Sequence, residues 1–314
     1  MKFRSKKARQ ESIVIRSKDW NSKTDRGKYA FLHHIKAVES LPPRNDPNYI
    51  YYDMRILRTR LNHYYLVVPK PLDKKREKQA PSLEEELSGA GVVALDPGVR
   101  VFQSSYDPSG LVVEWGKGDI TRIGRLCHAY DNLQSRWSRK NVRHRQRYKM
   151  KQAGLRIQLK IRNLIDDVHK RMVSWLCWNY RTILLPSFET SNMVRRGKRR
   201  IRSKTARAML TWAHYRFKQR LLNKAREFPW CTPIICDEHY TSKTCGHCGE
   251  IHNGLGGNKI FKCPQCHYTL DRDINGARNI LIRYLTLHCN TSNLLGRSQE
   301  VALGHVPSDD MVPM

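Results

Sequence analysis

Residues 245–279 read CGHCGEIHNGLGGNKIFKCPQCHYTLDRDINGARN. The two C-x-x-C pairs, Cys245 with Cys248 and Cys263 with Cys266, suit one tetrahedral zinc ion, because each pair makes a tight thiolate turn and the intervening loop folds the turns together. His247, His252 and His267 offer imidazoles nearby, but four thiolates already complete such a site. The knuckle runs without a linker into Asp271-Arg272-Asp273 and then into a helical pattern, with Ile274, Ala277, Ile280, Leu281 and Leu285 three and four residues apart. A zinc ribbon that only folds and binds is the plain alternative. Its place directly ahead of the acids favours a device that delivers Asp273, and nucleic acid with it, to a shared site.

Working upstream, Ile234 and Ile235 make a short strand that ends in Cys236, Asp237 and Glu238. Before it lies an amphipathic helix over roughly 205–228, with Ala206, Leu210, Ala213, Phe217 and Leu221 on one face and Pro229 as its stop. Residues 195–204, RRGKRRIRSK, read as a flexible nucleic-acid contact, with a nuclear localisation signal as the rival. Residues 182–185 form another strand, with Glu189 shortly after it. A long helix precedes that strand, its apolar stripe carried by Ile157, Ile161, Leu164, Ile165, Val168, Met172, Trp175 and Leu176. Its near end, residues 139–151, is densely basic. A solvated face is the usual meaning of such a run, but the near absence of acids favours phosphate binding.

Further upstream, Val92, Val93, Ala94 and Leu95 form a fully apolar run ending in Asp96, as a central strand with an acid at its carboxyl end does. Residues 101–106 and 111–115, around Asp107 to Gly110, continue the sheet as a hairpin. Residues 50–69 hold two β-rich runs that turn at Leu61 and Asn62, residues 70–90 are a charged, proline-containing linker, and residues 1–50 are basic and polar apart from the apolar run at Ile13 to Ile15. The last stretch, from about 289 to 314, reads as a flexible tail. Length allows one large domain with an appendage, or two domains.

Composition narrows the partner. Fifty-eight Lys and Arg against 28 Asp and Glu leave a formal charge of +30 on 314 residues, a surface that repels itself unless a polyanion covers it. No stretch approaches the ~20 apolar residues that span a bilayer, and the start of the chain is basic rather than signal-like, so an intracellular protein without a membrane partner is expected. Five of the nine cysteines, Cys127, Cys177, Cys231, Cys236 and Cys289, are scattered without framework spacing, which is poor disulfide design. Cutting a phosphodiester in line requires charge neutralisation at both the attacking and the leaving oxygen, which two magnesium ions ~4 Å apart supply. Such ions demand carboxylates gathered from distant segments, and Asp96, one glutamate and Asp273 stand at strand and helix ends. Taken singly, each acid is as well explained by a turn or a helix cap. No G-x-x-x-x-G-K loop and no H-E-x-x-H pair points elsewhere.

ALDPGVRVFQSSYDPSG, WGKGDITRI, LLPSFETSNMV, IRSKTARAMLTWAHYRFKQRLLNKA, YTSKTCGHC and CPQCHYTLDRDINGARNIL resemble the RuvC-type nuclease half of transposon-encoded TnpB proteins, and within them the Fanzor branch of eukaryotes and their large viruses. The resemblance covers about residues 50–285. It implies an α/β, RNase H-like nuclease domain over 91–288 with a zinc ribbon inserted at about 241–270, and a reduced β-rich wedge segment with its linker over 1–90. It also implies a guide RNA made from the transposon end and magnesium-dependent cleavage of DNA paired to that guide. Location would be nuclear in a eukaryotic host.

Carried over by residue, Asp96 and Asp273 match the first and last catalytic aspartates, and Cys245, Cys248, Cys263 and Cys266 the zinc ligands. TnpB proteins place their glutamate directly after the strand at 182–185, where this chain has Pro186. Fanzor proteins share that feature and use a glutamate farther along. The expected third acid is Glu238, which closely follows Ile234 and Ile235 just ahead of the knuckle; Glu189 is second choice. A nucleic-acid-binding remnant without productive cleavage is the alternative function, and a guide-independent nuclease a third.

Overall fold

The computed structural model describes residues 10–15, 52–76, 91–195, 197, 201–237 and 241–292. Its centre is a five-stranded mixed sheet built from β4 (Val92–Pro97), β5 (Gln103–Tyr106), β6 (Val112–Trp115), β7 (Thr182–Pro186) and β8 (Thr232–Cys236), in the order β6-β5-β4-β7-β8. The hairpin strands β5 and β6 run antiparallel, whereas β4, β7 and β8 are parallel and so end on one rim. Asp107 makes the tight turn of that hairpin. One of its carboxylate oxygens accepts the Ser109 amide, the Ser109 hydroxyl and the Leu111 amide, while the other accepts the Tyr180 hydroxyl at 2.9 Å.

The two-residue alternation of β4 sorts its side chains. Val93 and Leu95 join the main core with Phe102, Ile183 and Leu185, covered by α2 (His144–Asn179) through Ile165, Met172, Val173 and Leu176 and by α5 (His214–Ala225) through Phe217 and Leu221. Ala94 and Leu184 point the other way, against Ile280 and Leu281 of α6 (Arg272–Ser292). Asp96 therefore lies on the α6 face.

The apolar stripe predicted for the long helix is the buried face of α2. Its 36 residues span about 54 Å at 1.5 Å per residue, and none before Gly154 is buried. The basic first turns thus extend past the core, paired with α1 (Asp119–Trp137). A Cβ at Gly154 would stand 2.8 Å from the Trp137 ring, so only glycine lets these helices approach so closely.

Four differences from expectation are physical. Helix α1 carries no clear sequence signal, because its short apolar face, buried only at Ile123, is interrupted by charge. The single helix expected over 205–228 is two, α4 (Ser203–Trp212) and α5, broken at Ala213 with φ +54°. Helix α6 continues to Ser292, past the expected start of the tail at about 289. And the run at Ile13 to Ile15 belongs to β1 (Gln10–Ile15), which pairs with β2 (Met54–Thr59). That strand in turn pairs with β3 (Tyr64–Val67) across a left-handed Asn62. These three strands form a separate small sheet. Among the described residues, no helix is long and apolar enough to cross a membrane.

Candidate metal centre and active-site cleft

The four thiolates come together. All four Sγ atoms lie within 4.8 Å of one another, with Cys245 to Cys266 at 3.6 Å and Cys248 to Cys263 at 3.5 Å. A tetrahedron with metal–sulfur bonds of about 2.3 Å has edges of about 3.8 Å, so the donor set fits zinc. Two turns of matching design hold it. The Cys245 amide bonds Glu250 O and the Cys263 amide bonds Tyr268 O, and the residue after each second cysteine, Gly249 or His267, has positive φ. Leu255 and Phe261 are buried between the turns and give the ribbon its own small core.

Strand β10 (Thr269–Asp271), paired with β9 (Ile260–Lys262), passes straight into α6. The D-R-D sequence divides its labour there. Asp271 caps the helix, its Oδ1 accepting the Asp273 amide at 3.0 Å, and pairs through Oδ2 with Lys259 at 3.4 Å. Arg272 staples the ribbon loop, donating from Nη1 to Gly256 O at 2.8 Å. Asp273 is left facing the sheet rim.

One glycine lets α6 close on Asp96, and a second places the turn after β4 beside Asp273. A Cβ at Gly276 would stand 2.6 Å from Asp96 Oδ2, so the Asp96 carboxylate lies directly on the α6 backbone. A Cβ at Gly98 would stand 3.6 Å from Asp273 Oδ2. The turn after Asp96 is held from beneath by Trp212, whose Nε1 donates to Val99 O at 2.9 Å. Burial, reinforced by the charge of Asp271, raises the pKa of Asp273, against the opposing pull of Arg272, Lys259 and Arg100. Both aspartates line one cleft of about 1390 Å³, whose other walls carry Arg100, Arg125, Lys204, Lys259 and Arg272. Carboxylates at the floor and cations on the walls suit a divalent cation and a phosphate backbone together.

The glutamates are not brought in alike. Glu189 is exposed at the start of α3 (Thr190–Val194), its carboxylate accepting the Asn192 amide, and it is absent from the cleft lining. Glu238 lies outside the described residues. Strand β8, expected to end near Asp96, is separated from β4 by β7, a lateral distance of about 9.6 Å at ordinary strand spacing. The register sets Pro186 level with Cys236, and the β4–β7 offset sets Asp96 level with Pro186.

Among the basic stretches, Lys204 lines the cleft, whereas Arg147 is engaged within the fold, donating to Trp137 O at 3.1 Å and Arg139 O at 3.0 Å. Sequence pattern does not single out Gly98, Gly276, Arg272 or the two asparagines Asn275 and Asn279. The last pair sits on the side of the helix that carries Arg272, Arg278 and Arg283, and in sequence it reads as an ordinary polar face.

The model of the Cas12f1-like TNB domain family matches residues 214–280, which hold α5, β8, the ribbon and the start of α6. A putative transposase of Paramecium bursaria Chlorella virus 1 is 30% identical over 81% of this chain and 54% of its own length. A TnpB-like protein of Acanthamoeba polyphaga mimivirus is 27% identical over 69% of this chain and 40% of its own. The CRISPR-associated endodeoxyribonuclease Cas12f1 of Sulfoacidibacillus thermotolerans is 40% identical over 83 residues, 26% of this chain and 19% of its own length. The chain thus spans about half the length, or less, of these curated relatives. The TNB-domain match, which takes in the ribbon and the start of the acid-bearing helix, and the transposase and TnpB-like relatives together support one assignment, the TnpB family.

Proposed function

We propose that this chain is an RNA-guided, magnesium-dependent DNA endonuclease of the Fanzor branch, cutting DNA paired to a transposon-derived guide RNA on an RNase H-like scaffold. The observation that carries the reading is the placement of Asp96, at the end of β4, and Asp273, in the first turn of α6, in one cation-walled cleft beside the four-thiolate site. Hard carboxylate oxygens, one made reluctant to ionise by burial, are a donor set that a divalent cation satisfies. Magnesium held by Asp96, Asp273 and a glutamate would neutralise charge on the attacking and leaving oxygens of a phosphodiester. The chain's own residues do the remaining work. Arg100, Arg125, Lys204 and Arg272 hold backbone phosphates, and Trp212 fixes the turn that carries Asp96. Zinc at Cys245, Cys248, Cys263 and Cys266 would be structural and coupled to ribbon folding. Sequence would be read by base pairing rather than by the protein.

A second reading, nucleic-acid binding without cleavage, is favoured by Pro186, which stands level with Asp96 on the adjoining strand and offers no ligand. Co-expression with the native flanking DNA, sequencing of co-purified RNA and assay on a matched duplex decide between them. Metal-dependent cutting abolished by Asp96→Ala supports the nuclease; bound RNA without cutting supports the second reading.

A further inference from the structure

We propose that Asn275 and Asn279 are positioning residues that lock the first cysteine turn to α6 and thereby set the cation affinity of the Asp96–Asp273 cleft, although neither is seen to bond either acid. Asn275 is fully buried and Asn279 only 7% exposed. Burying two primary amides is unfavourable unless their hydrogen bonds are replaced, and here they are spent on one target. Asn275 accepts the Gly246 amide at 3.2 Å and donates to Thr244 O at 2.8 Å. Asn279 donates to Thr241 O at 2.7 Å and to Thr244 O at 2.6 Å.

The fit is close on the other side too. A Cβ at Gly246 would stand 2.8 Å from Asn279 Oδ1 and 3.3 Å from Asn275 Oδ1. Residues four apart share one helix face, so the clamp grips two successive turns of α6. On the rest of those turns sit Asp273 and Gly276, the latter against the Asp96 carboxylate. The helix start is therefore fixed three ways: by β10 in the chain, by Arg272 on Gly256, and by the asparagines on the Cys245 turn. Loosening the third lets α6 shift along Asp96, and a carboxylate pair moved by less than an ångström loses a cation before it loses the fold.

The inference rests on the proposed cation site, and its test separates the two. Mn²⁺ binding is measured by electron paramagnetic resonance on the full chain, well below each melting midpoint, with zinc content determined in parallel. Wild type should show Mn²⁺ binding that Asp96→Asn removes. Asn279→Ala and Gly246→Ala should keep wild-type zinc content and circular dichroism yet bind Mn²⁺ about tenfold more weakly, the scale typical of residues that orient metal ligands from behind. Unchanged affinity in both variants, beside normal wild-type binding, overturns the positioning role alone. Failure of wild type to show Asp96-dependent binding removes the cation site itself, and the inference with it. If Asn279→Ala does not fold or loses zinc, Gly246→Ala, which keeps both asparagines and all thiolates, decides.

Discussion

Asp273 pays for its position in stability. Its raised pKa means that the folded state disfavours the ionised carboxylate, so above the ordinary value of 3.8 the group opposes folding, and the opposition fades as pH falls through the folded pKa. Asp273→Asn is therefore expected to abolish cleavage while raising the melting midpoint at pH 7 by on the order of 2 °C, with the gain shrinking towards pH 4. A lower midpoint at pH 7 would contradict the burial argument.

Gly276 gives the opposite contest. Alanine is favoured over glycine inside a helix by about 1 kcal/mol, but its methyl would meet Asp96 at 2.6 Å. Cleavage by Gly276→Ala should fall at least tenfold, and any rise in stability would show that the carboxylate had moved away. Glycines of this kind are illegible in a lone sequence, because their meaning lies in what approaches them. Cysteine pairs and strand-end aspartates are legible because spacing and position are themselves the signal.

Two buried histidines set the acid limit. Burial, with Arg220 and Arg216 adding to it, holds His169 down to about 3; burial holds His214 down to about 4, against a backbone bond at Gly98. Both stack on Phe102, at 4.6 and 5.1 Å. Since both folded values lie below the ordinary 6.5, the unfolded chain takes up these protons first. Stability from this source is intact above about pH 6.5 and is lost as pH falls towards 4 and then 3. His169→Phe and His214→Phe should each make the acid limb of the melting curve shallower, and an unaltered limb would assign it to other groups.

At the scale of elements, parallel strands and amphipathic helices are legible where one face is apolar throughout. Helix α1 escapes because little of it is buried, and the break at Ala213 because the apolar pattern continues across it. Strand order is out of reach of local pattern, and it bears on the third acid. Alternation places Ala94, Leu184 and Ile234 against α6, so Asp96, Pro186 and Cys236 share that face. Glu189 lies three residues past the end of β7, exposed and with its carboxylate turned to Asn192, whereas in sequence Glu238 follows the end of β8 by two residues. The exposure of Glu189 favours Glu238, even though β7 intervenes. Glu238→Gln should reduce guided cleavage by orders of magnitude with binding nearly intact, and Glu189→Gln should cut as wild type. The reverse pattern would show that the loop after Pro186 folds back over the rim.

At the scale of the whole molecule, a formal charge of +30 is legible from composition, but its division between structural and ligand-facing cations is not. Arg147 closes the carboxyl end of α1, Arg207 pairs with Asp131, and Arg216 and Arg220 pair with Asp166, so these charges are already spent inside the protein. Around the α1–α2 tip, Arg139, Lys140, Arg143, Arg145, Lys149 and Lys151 are exposed on a hairpin that extends beyond the core, away from the sheet. Each phosphate they bind adds about 0.7–0.9 to the slope of log affinity against log salt, depending on single- or double-stranded partner. Replacing the six by glutamine, with Arg147 kept, should flatten the slope by that amount for every phosphate no longer held, and leave the melting midpoint unchanged. Replacing Arg147 alone should do the reverse, lowering the midpoint with little change of slope. If the six-residue variant keeps the wild-type slope, the tip is a solvated surface and the phosphates are held on the cleft walls.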